Sequence, residues 1–143
     1  MPRDVIRVKA SELPKPLGPY SYGTRVEGGT LLFISGAVPI DKTGKVPEAI
    51  KGDMKGQMRQ VVENIKAVLK VAGASLKDVV CLRYFVTDMD AFWETVNWRC
   101  EAYPELWGRT VGDQEAPACT LIQVARLALP DWMVEIDAVA HVK

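Results

Sequence analysis

An α+β sandwich, with a mostly antiparallel sheet and two helices packed on one of its faces, is the fold this sequence predicts. Three observations lead there. Strand-like and helix-like runs follow one another in the order βββ, α, β, α, ββ. The longest periodic stretch, 53–72, has one apolar and one charged side, as a helix lying on a sheet requires. Several strand candidates are apolar on both sides, so the sheet needs cover on both faces. The 143 residues make one domain, 1–143, with no repeat, low-complexity segment or interdomain linker.

Residues 5–9 alternate weakly and read as a first strand. The proline-rich Pro14-Lys15-Pro16-Leu17-Gly18-Pro19 is too short to join domains and reads as an ordered turn. Runs 20–26 and 30–35 flank Glu27-Gly28-Gly29. A Gly-Gly pair accepts positive φ at both positions, so these runs are expected to form a hairpin. Leu31-Leu32-Phe33-Ile34 is apolar on both faces and should be covered on both sides.

In the helix 53–72, Met54, Met58, Val61, Val62, Ile65, Val68, Leu69 and Ala72 recur at helical spacing. Asp53 is placed to cap it and Gly73 to end it. Lys55, Arg59, Glu63, Lys66 and Lys70 form the opposite, solvated face. A strand at 79–87 follows, then a second helix capped by Asp90. Its apolar side is Phe92, Trp93, Val96 and Cys100, and it ends near Tyr103-Pro104. Two strands close the chain, 119–127 and 133–142, joined through the turn Ala128-Leu129-Pro130-Asp131 as a hairpin. In the last, Val134, Ile136, Ala138, Ala140 and Val142 alternate with Glu135, Asp137 and His141. In so small a chain, the two-sided apolar strands 79–86 and 121–127 imply a partner, most simply more copies of the same chain.

Composition excludes some functions. Lys plus Arg and Asp plus Glu are 18 each, so no bulk field gathers nucleic acid or an anionic membrane. The three cysteines, Cys81, Cys100 and Cys119, form no CxxC pair, and His141 is the only histidine, which argues against a structural metal site. Free thiols suit a reducing compartment, no run is apolar for the roughly 20 residues that span a bilayer, and no signal-peptide pattern opens the chain. The expected address is the cytoplasm, with no membrane association.

Several segments, in order and in register, carry a resemblance. They are Gly18-Pro19-Tyr20-Ser21, Phe33-Ile34-Ser35-Gly36-Ala37-Val38-Pro39, Gln57 with Asn64-Ile65-Lys66-Ala67-Val68-Leu69, and Ala72-Gly73-Ala74-Ser75 with Asp78-Val79-Val80. Phe85-Val86-Thr87-Asp88-Met89, Val96-Asn97, Val124-Ala125-Arg126-Leu127 and Val134-Glu135-Ile136 follow. From about Pro16 to Val142 the chain resembles the reactive-intermediate deaminase family (Rid or YjgF-like, also called endoribonuclease L-PSP-like). The resemblance implies a chorismate-mutase-like α+β unit assembled as a homotrimer whose sheets form a central barrel. It implies small-molecule clefts between subunits and hydrolysis of short-lived enamines and imines to a 2-keto acid and ammonia. It implies no cofactor, because an imine carbon is already electrophilic and water is the nucleophile.

Carried over position by position, the resemblance makes Tyr20 a lining residue of the cleft and gives Ser35 and Gly36 a backbone that faces the ligand. Asn97 is a further binding position, and Glu135 is the catalytic carboxylate that orients or polarises water. At Pro117-Ala118-Cys119-Thr120 the chain departs from the family pattern, which has an arginine where Cys119 stands. That arginine grips a substrate carboxylate through a planar fork of donors; cysteine is short, neutral and a weak donor. The usual 2-imino acids are therefore not the expected substrates unless another cation fills the place. Arg25, Arg109 and Arg126 are the candidates considered, and alternation along the strand points Arg126 away from Cys119.

Cys119 has no base or cation adjacent in sequence and reads first as a small buried hydrophobe, then as a nucleophile or redox sensor. Cys81 and Cys100 read as core residues, and His141 as exposed. Trp98 and Trp107 are candidates to cover an interface. Two functions of different class stand side by side. One is a cofactor-independent deaminase acting on an imine or enamine other than the usual 2-imino acids. The other is a non-enzymatic module that binds a metabolite or a protein in the inter-subunit cleft. RNA cleavage has little behind it, with zero net charge and one histidine.

Overall fold

The computed structural model describes residues 5–8 and 10–143; Lys9, the expected end of the first strand, lies outside the described residues. The strands are β1 (Val5–Val8), β2 (Gly23–Val26), β3 (Thr30–Ala37), β4 (Val79–Val86), β5 (Ala118–Gln123) and β6 (Val134–Val142). The helices are α1 (Met54–Val71), α2 (Met89–Trp93), α3 (Val96–Ala102) and α4 (Pro104–Trp107). The α+β class holds, but the sheet is mixed. Its order is β3-β6-β4-β5, with β4 and β5 parallel and the other two ladders antiparallel.

The first helix follows its sequence pattern. Met54, Met58, Val61, Val62, Ile65 and Leu69 are buried on one side, and the charged row opposite is exposed. Val68, at the margin of the stripe, is exposed. Asp53 takes the N-cap position without a side-chain cap bond. Gly73, at φ +73°, ends the helix in a Schellman motif: Ala74 N–H donates to Leu69 O and Gly73 N–H to Lys70 O. Buried Gln57 donates to Ile50 O and Asp131 O and accepts from Met133 N–H, tying the approach to β6 onto the helix.

Two expected hairpins are not present. β2 pairs antiparallel with β1, while β3 pairs with β6. Gly28 and Gly29 do take positive φ, but the Gly28 carbonyl is bonded to the His141 ring (2.7 Å) and no β2–β3 ladder forms among the described residues. A Cβ on Gly29 would lie 2.6 Å from His141 Nε2 and from Val142 O, so a glycine is required where the turn meets β6. His141 is accordingly buried, 3% exposed, against the expectation of an exposed ring.

β5 and β6 likewise do not pair. β4 is apolar enough to sit between them, parallel to one and antiparallel to the other. The connection 124–133 passes the end of β4, where Val124 N–H donates to Val86 O and Thr87 N–H to Met133 O. β5 ends at Gln123, so Arg126 is not in a strand; its guanidinium bonds Leu127 O and Ala128 O.

The expected second helix is two short ones, α2 and α3, with α4 beginning where it was to end, and its cap is Asp88 rather than Asp90: the Asp88 carboxylate accepts from Ala91 N–H at 3.0 Å. The break falls at Glu94-Thr95, where the buried Thr95 hydroxyl donates back to Phe92 O (2.6 Å) and competes with helical pairing. Trp93 turns outward, half exposed. Trp107 is fully buried, with Nε1 donating to the Tyr84 hydroxyl (2.6 Å), so it is a core residue and not an interface cover.

All helices contributing to the core pack on one sheet face. The inward residues are Ile34, Leu82, Tyr84, Val86, Val134, Ile136, Ala138 and Ala140, joined by α1, Phe92, Cys100 and Trp107. The outer face carries Cys81, Arg83 and Phe85 of β4 and Glu135, Asp137 and Val139 of β6. Cys81 is thus half-buried on that face instead of in the core. Leu31 (48% exposed) and Phe33 (75% exposed) add large apolar side chains to that face beside the charged Arg83, Glu135 and Asp137.

Candidate functional site

The expected site residues fall into three places within one chain. On the outer face, Glu135 of β6 stands beside Phe85 of β4 and against β3. The β3–β6 register shifts between Ile34 and Ala37, and Ser35 and Gly36 form the irregularity. Gly36 is needed there: a Cβ would lie 2.9 Å from Glu135 Cδ and 3.0 Å from its Oε2. The half-buried Glu135 carboxylate thus rests on the bulge backbone, with no hydrogen bond or ion pair among the described residues. Ser35 is exposed next to it.

On the inner face, at the β5 edge, a cavity of about 140 Å³ is lined by Pro19, Tyr20, Phe92, Trp93, Arg99, Cys119 and Leu121, with Tyr84 behind them. Cys119 and Leu121 stand opposite Leu82 and Tyr84 in the β4–β5 register, which turns them toward the helices. Tyr20 reaches them because its loop is tied down in the chain just ahead of β5. Buried Ser21 donates its hydroxyl to Ala116 O (2.6 Å) and Gln114 O (2.9 Å), and its N–H to Pro117 O (3.2 Å). Ser21 is therefore a positioning residue that the Gly-Pro-Tyr-Ser motif contained and sequence reasoning did not single out.

Burial pushes the Cys119 thiol up to about 11, only partly opposed by the nearby Arg99 charge. At neutral pH Cys119 is a protonated thiol, which fits the small buried hydrophobe and disfavours the nucleophile. Asn97 lies exposed on α3 and does not line the cavity.

Arg99 is the residue the sequence reading missed. It is 3% exposed, inside the wall of the cavity. Its Cζ lies over Phe92 (4.4 Å), Trp107 (5.6 Å) and Tyr84 (5.7 Å). A signal was available: Arg99 follows Phe92 by seven residues and Val96 by three, so it belongs to the apolar stripe of that segment. Arg25 and Arg109, weighed for this place, are exposed elsewhere, Arg25 paired with Glu27 at 2.8 Å.

No group of three or more His, Cys, Asp or Glu side chains among the described residues could hold a metal ion. No helix among them is long and apolar enough to cross a membrane.

This sheet, with its helices on one face and a carboxylate set on a strand bulge, defines a class, and the comparisons give the family. The chain belongs to the endoribonuclease L-PSP family, which includes the RutC and Rid proteins: the family profile matches residues 10–142. A RutC family protein of Pyrococcus horikoshii is 43% identical over 129 residues, 90% of either chain. The 2-iminobutanoate/2-iminopropanoate deaminase of Salmonella typhimurium is 37% identical over 134 residues, covering 93% of this chain and 94% of that one. Among solved structures, a Rid family protein of unknown function from Yersinia pestis, YyfB, superposes with a TM-score of 0.78 at 28% identity. It covers 97% of this chain and 99% of its own.

Proposed function

We propose that this protein is a cofactor-independent deaminase that hydrolyses a reactive imine or enamine, other than the 2-imino acids gripped by an arginine at position 119. The observation that carries this reading is the Glu135 carboxylate, unpartnered and set against the Gly36 bulge. A carboxylate so placed can take a proton from water as the water oxygen adds to the C=N carbon. That proton passes to nitrogen to give a carbinolamine; the carbinolamine hydroxyl then yields its proton to nitrogen as the C–N bond breaks, and ammonia leaves a carbonyl product. Water supplies both the oxygen and the hydrogens, so the step balances without a cofactor. An enamine enters the same path after protonation on carbon.

Glu135 and the Tyr20–Cys119 cavity lie on opposite sheet faces of one chain. A complete site therefore needs a second copy, and we propose a homotrimer whose outer faces, with Leu31 and Phe33, meet around a central barrel. The second reading, a binding module without turnover, is favoured by Cys119, which offers no charge where the family has one. His141, the single histidine, is tied to the Gly28 turn and stands in neither region, which leaves RNA cleavage without a general acid or base from histidine.

The test is production of 2-ketobutyrate from 2-iminobutyrate, generated in place from threonine by a dehydratase and compared with the spontaneous rate. Wild type, Cys119→Arg and Glu135→Ala are run together. The deaminase reading expects activity in Cys119→Arg, loss of it when Glu135→Ala is added, and little in wild type. Silence from wild type and Cys119→Arg alike would support the binding module instead.

A further inference from the structure

Arg99 carries a positive charge with no counter-charge. No carboxylate of the described residues lies within ion-pair distance of it. The groups that act on it are Tyr84, whose hydroxyl accepts a hydrogen bond from the guanidinium, and Cys119 and Cys100. Burial raises the pKa of all three, so each is neutral at physiological pH. Burial also pulls the guanidinium downward, but an arginine starts so high that it stays protonated. Its Nε is buried and has no hydrogen-bond partner. An unpaired buried charge is costly, and native proteins keep one where a ligand pairs with it.

The aromatic contacts leave that role open. Phe92, Trp107 and Tyr84 meet the guanidinium as rings around a cation. A guanidinium's N–H donors lie in its plane, where a carboxylate engages them in a fork. Beside Arg99 the cavity walls are Pro19, Tyr20, Phe92, Trp93 and Leu121, which suit an apolar body. Among the described residues, Arg99 is the one cationic side chain lining the cavity. One charge matches a monocarboxylate and falls short of a phosphate dianion.

We propose that Arg99 makes this cavity the binding site for the carboxylate of a small apolar monocarboxylic acid, supplying from helix α3 the cation that strand β5 lacks at Cys119. As a statement about binding the proposal stands alone; as a statement about the substrate, an imine or enamine bearing a carboxylate, it rests on the deaminase reading.

The experiment titrates the intact protein with butyrate, its uncharged isostere butyramide, and inorganic phosphate, reading tryptophan fluorescence, since Trp93 lines the cavity and Trp107 touches Arg99. Saturable butyrate binding is expected, at least roughly tenfold tighter than butyramide and phosphate. Arg99→Met should remove that preference and Arg99→Lys should weaken it, while Lys70→Ala, on the solvated face of α1, should keep it. Equal affinity of wild type for butyrate and butyramide overturns the proposal and points to a neighbouring copy's carboxylate neutralising Arg99. Tighter phosphate than butyrate also overturns it. If Arg99→Met does not fold, the isostere comparison in wild type and in Arg99→Lys still decides. Carboxylate binding with no 2-iminobutyrate turnover by either wild type or Cys119→Arg would sink the deaminase reading and leave this one standing.

Discussion

The two faces of the sheet handle charge in opposite ways. On the outer face Arg83 meets Asp137 in the open, with Nη2 at 2.6 Å from Oδ2, and Glu135 waits half-buried with no partner. On the inner face a single guanidinium is sealed among aromatic rings and neutral hydroxyl and thiol groups. Water screens the first arrangement and is excluded from the second. Changes on the inner face should therefore be read in stability and anion binding, and changes on the outer face in turnover.

The largest effect should break the inner face. Trp107→Ala empties a fully buried site and strands the hydrogen bond of Tyr84, and should cost about 3–5 kcal/mol in urea unfolding. Cys119 gives a pH-dependent reading of the same region. The thiolate is the reactive species and the thiol titrates at about 11, so alkylation followed by mass spectrometry should be slow at pH 8. The rate should climb about tenfold per pH unit up to that value; a plateau reached near pH 8 would mean the cavity is not dry.

On the outer face Gly36→Ala should separate function from folding. The added methyl meets the tip of a flexible side chain, so stability should stay within about 1 kcal/mol. The displaced Glu135 carboxylate should cost roughly tenfold or more in turnover by the Cys119→Arg form. Lys66→Ala, on the solvated face of α1, should do least. It removes one exposed ion pair, with Glu63, and the melting temperature should hardly move, with any change vanishing at high salt.

Local patterns of this chain could be read without its fold. The 18 residues of α1 and its Gly73 end, the alternation of β6, and the solvated charge row all depend on neighbours one turn or two residues away. The resemblance drew attention to Tyr20, Gly36, Cys119 and Glu135 as positions, and implied a cation where Cys119 stands.

Partnering was not legible. Two Gly-Gly and Pro-Asp turns suggested hairpins, yet β2 went to β1 and β5 to the far side of β4. Strand pairing is decided by which apolar faces the whole sheet can bury, not by the turn between neighbours. Two helices replaced one at Glu94-Thr95, where the Thr95 hydroxyl bonds the Phe92 carbonyl inside the core. The candidates for the missing cation, Arg25, Arg109 and Arg126, were sought along the chain, whereas Arg99 reached Cys119 from another layer of the fold. The sequence by itself determined the fold class and, through short motifs in order and in register, the family, because those depend on residue type and short spacing. Only the tertiary structure decided which charge lies beside the empty place and which face the carboxylate takes, because both follow from contacts between elements distant in the chain.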